Sequence, residues 1–298
     1  MTSTLALDAQ RTRRRPAHLA ARPPELYFVV SAIFHYLGPA FAVLLFARVD
    51  VLGVAWLRIA SAAVIFAIWR RPWRAFVDMD PTSRRLVVTW GTVLAVMNCS
   101  FYLAIDRLAL GTVAAIEFLP VIAIAAYGSR TLRNVVALLL AVGGVYLMTN
   151  VVLEGEPIGV TLAFANAALF AAYIALGHRL AQRGAMAGID ALASAMLFAA
   201  IVVTPVGLVF AVPAFAEPLL VAAGIGVGVC SSVIPYVTDQ LAMAHIKRST
   251  YAVLVSLLPA TATVVGVVLL DQVPRAIEMF GVGLVITAVA LHRDAEAL

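Results

Sequence analysis

Charge is what this chain has least of. Only 12% of its 298 residues are Asp, Glu, Lys or Arg, and lysine occurs once, as Lys247. An average soluble domain is about a quarter charged. So few charges cannot coat a water-soluble fold, and 63% hydrophobic residues with a mean hydropathy of +1.00 cannot be hidden inside one of this size. Cysteine is nearly missing as well. Cys99 and Cys230 lie in apolar runs and read as small core residues, with no disulfide or metal-ligand pattern. The first 24 residues lack the apolar core and cleavage region of a signal peptide and read as a disordered basic tail. No His/Glu metal spacing or nucleophile–base motif occurs, so the sequence offers neither an enzyme nor a cofactor site. The pI near 9.6 is no nucleic-acid signal either, because the basic residues flank apolar runs.

Those runs are what the chain does contain. Ten spans of membrane-crossing length are expected at 26–46, 52–69, 86–105, 109–127, 135–152, 158–177, 189–211, 218–241, 251–270 and 276–291. An even number places both termini on one side, and the basic residues choose it. Arg11, Arg13, Arg14, Arg15 and Arg22 precede the first span. Arg70, Arg71, Arg74, Arg84, Arg85, Arg130, Arg133, Arg179, Arg183, Lys247, Arg248 and Arg293 fall on the same side. The opposite loops hold Arg48, Arg107 and Arg275 among the acids Asp50, Asp106, Glu154, Glu156, Glu217 and Asp271. Both termini are therefore predicted to be cytoplasmic. The 70–85 connection, with Pro72, Trp73 and Pro81, is long enough for a short surface helix.

Five spans per half is an odd number, which inverts the second half relative to the first and gives an inverted repeat. A shift of 139 residues lays Leu119 on Leu258, Pro120 on Pro259, Ala123 on Ala262 and Gly144 on Gly283. The fold predicted is all-α and membrane-embedded, with ten transmembrane helices. Its segments are a cytoplasmic basic tail (1–25), two inverted five-helix repeats (26–152 and 158–291) and a second cytoplasmic tail (292–298). Pro39, Pro120, Pro205, Pro235 and Pro259 lie inside spans. Each removes a backbone hydrogen bond, so each either kinks a packed helix or shapes a cavity.

Ionisable groups deep in a span are costly and normally face the bundle interior. His35, Arg58 and Glu117 are the deep ones, while Asp239 lies near the inner end of its span, within reach of water. At 1.5 Å rise per residue, Arg58 lies roughly 9 Å below the outer boundary, Asn98 about 10 Å, and Glu117 and Asn166 about 12 Å. His35 is about 16 Å down, near the midplane. Two readings stand for Arg58 and Glu117. One is a buried ion pair between the second and fourth spans. The other makes Glu117 a site for a proton or a substrate ammonium, with Arg58 tuning its charge or holding a substrate carboxylate. His35 either titrates in proton coupling or bonds a neighbouring helix. Asn98 and Tyr102 share a helix face, as do Asn166, Phe170 and Tyr173, so these aromatics are either packing or a substrate box. Tyr36, Phe101, Phe118 and Tyr236 stand beside the same polar groups.

At these residues the chain resembles the EamA-type carriers of the drug/metabolite transporter superfamily, and most closely their threonine/homoserine exporter group. The likeness rests on the run Gly53, Val54, Ala55, Trp56, Leu57, Arg58, Ile59, Ala60; on Pro72-Trp73-Arg74; on Met97-Asn98 with Phe101-Tyr102-Leu103; and on Glu117-Phe118. In the second half it rests on Ala172-Tyr173, Ser231-Ser232 with Pro235-Tyr236, and Pro259-Ala260. The resemblance implies two inverted halves around a substrate cavity in a bacterial inner membrane. It implies export of a small metabolite, typically an amino acid, by proton antiport. Such carriers commonly have Glu-Pro in the ninth span and Gly-Glu at its outer end, where this chain has Leu258-Pro259 and Asp271-Gln272. Glu117 is then the one deep acid. The expected substrate-binding set is His35, Asn98, Tyr102, Glu117, Asn166, Tyr173, Tyr236 and Ser256, with protons, lipid and a small molecule as partners and a homodimer compatible with the fold. A multidrug or quaternary-ammonium exporter of the same fold and a non-transporting receptor or scaffold stay open as alternatives.

Overall fold

A computed structural model describes residues 24–120, 131–150, 156–181, 185–245 and 258–291, and every regular element among them is helical. The first half holds α1 (Pro24–Phe46), α2 (Val51–Arg70), α3 (Pro72–Asp78), α4 (Pro81–Ile105), α5 (Leu110–Glu117) and α6 (Leu132–Asn150). The second holds α7 (Pro157–Ala181), α8 (Ala185–Ala211), α9 (Pro218–Gly228), α10 (Ile234–His245), α11 (Leu258–Leu270) and α12 (Ala276–Leu291). A π-helical turn, Val229–Val233, joins α9 to α10. Ser256, Ala123 and the basic residues of both tails fall outside the described residues.

Local chemistry explains where these helices begin. The Asp50 carboxylate accepts from the Leu52 amide at 2.9 Å and caps α2. Asp80 does the same for α4 through Ser83 N at 3.0 Å. Pro72, Pro81 and Pro218 open their helices, where a missing N–H costs nothing. Arg71, left-handed at φ 49°, ends α2 and turns the chain into α3, the short helix expected in the basic connection.

Six stretches are long and apolar enough to cross a bilayer: Val29–Phe46, Val51–Arg70, Pro81–Ile105, Pro157–Gly177, Gly188–Ala216 and Pro218–Asp239. Leu132–Leu147, Leu258–Leu270 and Ala276–Ala288 are shorter apolar helices. Of the expected span 109–127, α5 ends at Glu117 with a turn at Phe118, and residues 121–127 lie outside the described residues. Large apolar side chains such as Ile68, Val268 and Phe280 point outward, as a lipid-facing surface requires.

The packing runs across the two halves of the chain. Helix α2 lies on α8, α4 on α7 and α8, α6 on α12, α5 on α11 and α7, and α1 on α10 and α11, while α9 lies on α2. Lipid tails are as apolar as leucine, so close backbone approach at small residues must hold such helices together. A Cβ added to Gly53 would stand 2.5 Å from the Phe210 carbonyl oxygen of α8, and one on Gly144 would stand 2.6 Å from the Gly281 oxygen of α12. Beside Gly53, Trp56 Nε1 donates to Thr204 Oγ1 at 2.9 Å. Gly53→Ala is therefore expected to push α2 off α8 and destabilise the protein by about 1–3 kcal/mol, the usual cost of overpacking. Thermal unfolding in detergent checks this. An unchanged transition would mean that the α2–α8 contact is not tight.

Candidate functional site

Helix α10 begins beside a proline, and the site grows from that. Pro235 has no N–H, so it cannot close the α-type bond to the Ser231 oxygen. The chain relaxes into the π turn Val229–Val233 just before it, a distortion often met at functional positions. The freed Ser231 carbonyl accepts from Arg58 Nη2 at 3.0 Å, and Arg58 Nε donates to Ser232 Oγ at 2.9 Å. Gly228 lets α9 approach closely, since a Cβ there would stand 2.7 Å from the Arg58 oxygen. Arg58 is 5% exposed, and its guanidinium carbon lies 5.2 Å from the centre of the Tyr102 ring.

Glu117 sits where α5 ends. Pro120 has no N–H for the Ile116 oxygen, which instead receives the Phe118 amide, and the regular helix stops at the carboxylate. Glu117 is 4% exposed and Asn166 of α7 is fully buried. Asn166 Nδ2 donates to Glu117 Oε1 at 3.0 Å. Two acceptors in this pair, Glu117 Oε2 and Asn166 Oδ1, are buried with no donor among the described residues, as are the Tyr36 hydroxyl and Ser231 Oγ. Buried acceptors without donors are rare and mark a place where something else donates.

The expected buried ion pair does not form. No Arg58–Glu117 contact lies within 4.0 Å, because the π turn draws the guanidinium towards Ser231 and Ser232. The two charges still act on each other at longer range, and Arg58 also acts on Tyr102, Tyr236 and His35.

The other expected residues that the structure describes have these neighbours. Asn98 is buried, with Nδ2 donating to Leu94 O of its own helix at 2.7 Å and its side chain interacting with Tyr236. Tyr102 lies between Arg58 and Phe46, whose ring centre is 5.7 Å away. Tyr173 bridges Phe170 at 6.2 Å, Trp90 at 5.4 Å and Tyr236 at 6.0 Å, and Phe170 meets Phe118 at 6.0 Å. The Asn166, Phe170, Tyr173 face thus forms an aromatic wall from α7 to α10. His35 is half-buried on α1, its ring 5.3 Å from Tyr36. Arg58, Asn98, Glu117 and Asn166 are all buried, on four different helices, and Glu117 and Asn166 are in direct contact.

Sequence reasoning missed two features. Trp90 closes the aromatic wall and is buried without a contact to a polar neighbour that marks it in sequence. The pairing of Arg58 with Ser231 was signalled only by Pro235 four residues on. Asp239 lies where the apolar stretch Pro218–Asp239 ends, as expected, and Ser31 Oγ of α1 donates to Asp239 Oδ1 at 2.5 Å. Gln272, at a position where a carboxylate is common in similar carriers, instead uses Oε1 to accept from the Leu110 amide at 3.0 Å and caps α5. Among the described residues no cluster of His, Cys, Asp or Glu has the form of a metal site.

Known proteins resemble this chain along most of its length. A sequence model of the EamA-like transporter family matches residues 157–293. The threonine/homoserine exporter RhtA of Salmonella typhimurium (strain SL1344) is 30% identical over 280 residues, covering 93% of this chain and 92% of its own length. The threonine/homoserine exporter RhtA of Escherichia coli (strain K12) is 30% identical over 254 residues, covering 84% of each. A solved crystal structure superposes with a TM-score of 0.62 over 90% of this chain and 97% of its own, at 17% identity, a likeness of fold.

Proposed function

The chain belongs to the EamA-like transporter family, and from that membership we propose that it exports a small amino acid, threonine- or homoserine-like, by proton antiport and alternating access. It is a multi-pass membrane transporter and not an enzyme. The observation that carries the substrate class is the pair of buried, donor-free acceptors, Glu117 Oε2 and Asn166 Oδ1. A primary ammonium brings three N–H donors and satisfies both. A quaternary ammonium brings none, although the Trp90, Tyr173, Phe170 and Tyr236 rings would attract its charge. Arg58, a buried cation, is the group to meet the substrate carboxylate, with Asn98, Tyr102, Tyr173, Tyr236 and His35 completing the substrate-binding set.

The helix contacts support two inverted repeats at 26–152 and 158–291. Exchanging each of the first five spans for the one five places later leaves the packing pattern unchanged: α1 on α10 becomes α7 on α4, α4 on α8 becomes α9 on α2, and α1 on α11 becomes α7 on α5. The pairs α2–α8, α5–α11 and α6–α12 map onto themselves, as they would about a two-fold axis. The family match to 157–293 has the extent of the second repeat. The excess of Arg on one side supports cytoplasmic termini. A carboxylate that can hold either a proton or an ammonium, not both, couples the two fluxes in opposite directions.

Counterflow in proteoliposomes tests the reading. Unlabelled threonine or homoserine inside is expected to drive uptake of labelled threonine, while tetraphenylphosphonium drives none. Transport of the lipophilic cation with indifference to amino acids would replace this substrate class with the multidrug one.

A further inference from the structure

Gly53 meets Phe210 and Arg70 meets Asp190, so α2 and α8, one from each half of the chain, run antiparallel. Each end of the seam between them carries an ion pair. At one end Arg48, three residues before α2, donates through Nη2 to both carboxylate oxygens of Glu217, at 3.0 and 2.8 Å. Glu217 directly follows the Val212–Ala216 turn that ends α8. At the other end Arg70, the last residue of α2, places Nε 2.8 Å and Nη2 2.6 Å from Asp190 Oδ1. The 20 residues of α2 hold the two pairs about 30 Å apart, the thickness of a hydrocarbon core.

The two ends are built alike. Exchanging each of the first five spans for the one five places later carries the α1–α2 connection, with Arg48, to the α7–α8 connection beside Asp190. It carries the end of α2, with Arg70, to the end of α8, beside Glu217. Each ion pair thus takes the other's place with its charges reversed. A hydrogen bond across the seam accompanies each of them: Trp56 Nε1 to Thr204 Oγ1 at 2.9 Å towards the Arg48 end, and Ser194 Oγ to Pro72 O at 3.2 Å towards the Arg70 end. The side chains of Arg48 and Glu217 are 58% and 53% exposed, those of Arg70 and Asp190 19% and 29%. Ion pairs that water reaches are weak, so neither holds the seam permanently. Alternating access requires a closure at each end that opens in turn, and two weak, equivalent closures let neither state become a trap.

We infer that the two pairs are reciprocal clasps of the transport cycle. Opening at the Arg48 end parts Arg48 from Glu217 while Arg70 keeps Asp190, and opening at the Arg70 end does the reverse. Both are closed here, so the seam is shut at both ends, the arrangement between the two open states. The inference rests on the alternating-access reading. Arg48 and Arg70, which the sequence presents only as topology signals, thereby gain a role in the motion.

Hydrogen–deuterium exchange on purified full-length protein in lipid nanodiscs tests this without transport. Arg48→Gln is expected to raise amide exchange about two- to fivefold at its own end, in 46–52 and 212–217, and to lower it similarly at the far end, in 68–74 and 190–196. Arg70→Gln should do the reverse. The exchanged pair Arg48→Glu/Glu217→Arg should restore the wild-type pattern. Loosening confined to the mutated end, with the far end unchanged in both variants, makes the pairs static clamps and overturns the inference. Proteoliposomes give a second readout, in protein carrying Cys99→Ala and Cys230→Ala. A cleavable thiol crosslink in Arg48→Cys/Glu217→Cys, or in Arg70→Cys/Asp190→Cys, is expected to cut threonine counterflow tenfold or more until a reductant releases it. Full counterflow with either crosslink in place also overturns the inference. Reciprocal exchange in a protein that moves no substrate refutes the transport reading instead, and leaves the two clasps standing.

Discussion

Glu117→Gln is expected to abolish pH-gradient-driven export and to weaken amino-acid counterflow as well. The substitution is nearly isosteric. Asn166 Nδ2 still finds an oxygen, so the α5–α7 contact persists and the fold should survive. What disappears is the negative charge that an ammonium and a proton compete for. A hydrogen bond to a charged group contributes about 1.5–3 kcal/mol, which translates into a roughly ten- to hundredfold rise in the substrate concentration needed for half-maximal counterflow. The pH dependence separates this from simple damage. In the wild type, rising pH strips the competing proton from Glu117, so substrate binds more tightly, and acid weakens it. In Glu117→Gln the residual counterflow should be flat with pH. Persistence of the wild-type pH profile in that variant would remove Glu117 from the coupling step.

The fold was largely legible because its determinants are local. Runs of about twenty apolar residues with Arg at alternate ends identify spans whatever their tertiary contacts, and Asp50, Asp80, Pro72 and Pro81 mark starts by chemistry that any helix would share. The residues of the polar centre were also legible, since Arg58, Asn98, Glu117 and Asn166 stand out against apolar surroundings at similar depth. Their pairing was not. Sequence gives depth along each helix but not rotation about it, so Arg58 and Glu117, the only opposite charges in the layer, looked like partners. The deciding feature was a defect in a third helix. Pro235 leaves a carbonyl without a donor, and the guanidinium bonds it and the Ser232 hydroxyl.

That substitution of a backbone partner for an ion pair makes a second prediction with a large effect. Arg58→Met should keep most of the packed volume of the side chain but leave the Ser231 oxygen and Ser232 Oγ with no donor in the interior. Stranding one buried acceptor costs about 1–3 kcal/mol, so a drop in detergent thermal stability of that order is expected. Pro235→Ala supplies the missing N–H and lets the helix close its own bond, so the double variant Arg58→Met/Pro235→Ala should recover part of the loss. The signature is non-additivity, as expected for groups that share one interaction. Additive effects would mean that Arg58 does not stabilise α10 through Ser231. Transport then divides the roles of Arg58. If the double variant is stable yet still fails to exchange threonine, the guanidinium also meets the substrate carboxylate; Arg58→Lys, a point charge without the two-pronged geometry, should then exchange weakly. If stability and counterflow return together, Arg58 serves only to hold the broken helix in place, and the carboxylate of the substrate is recognised by other groups in the cavity.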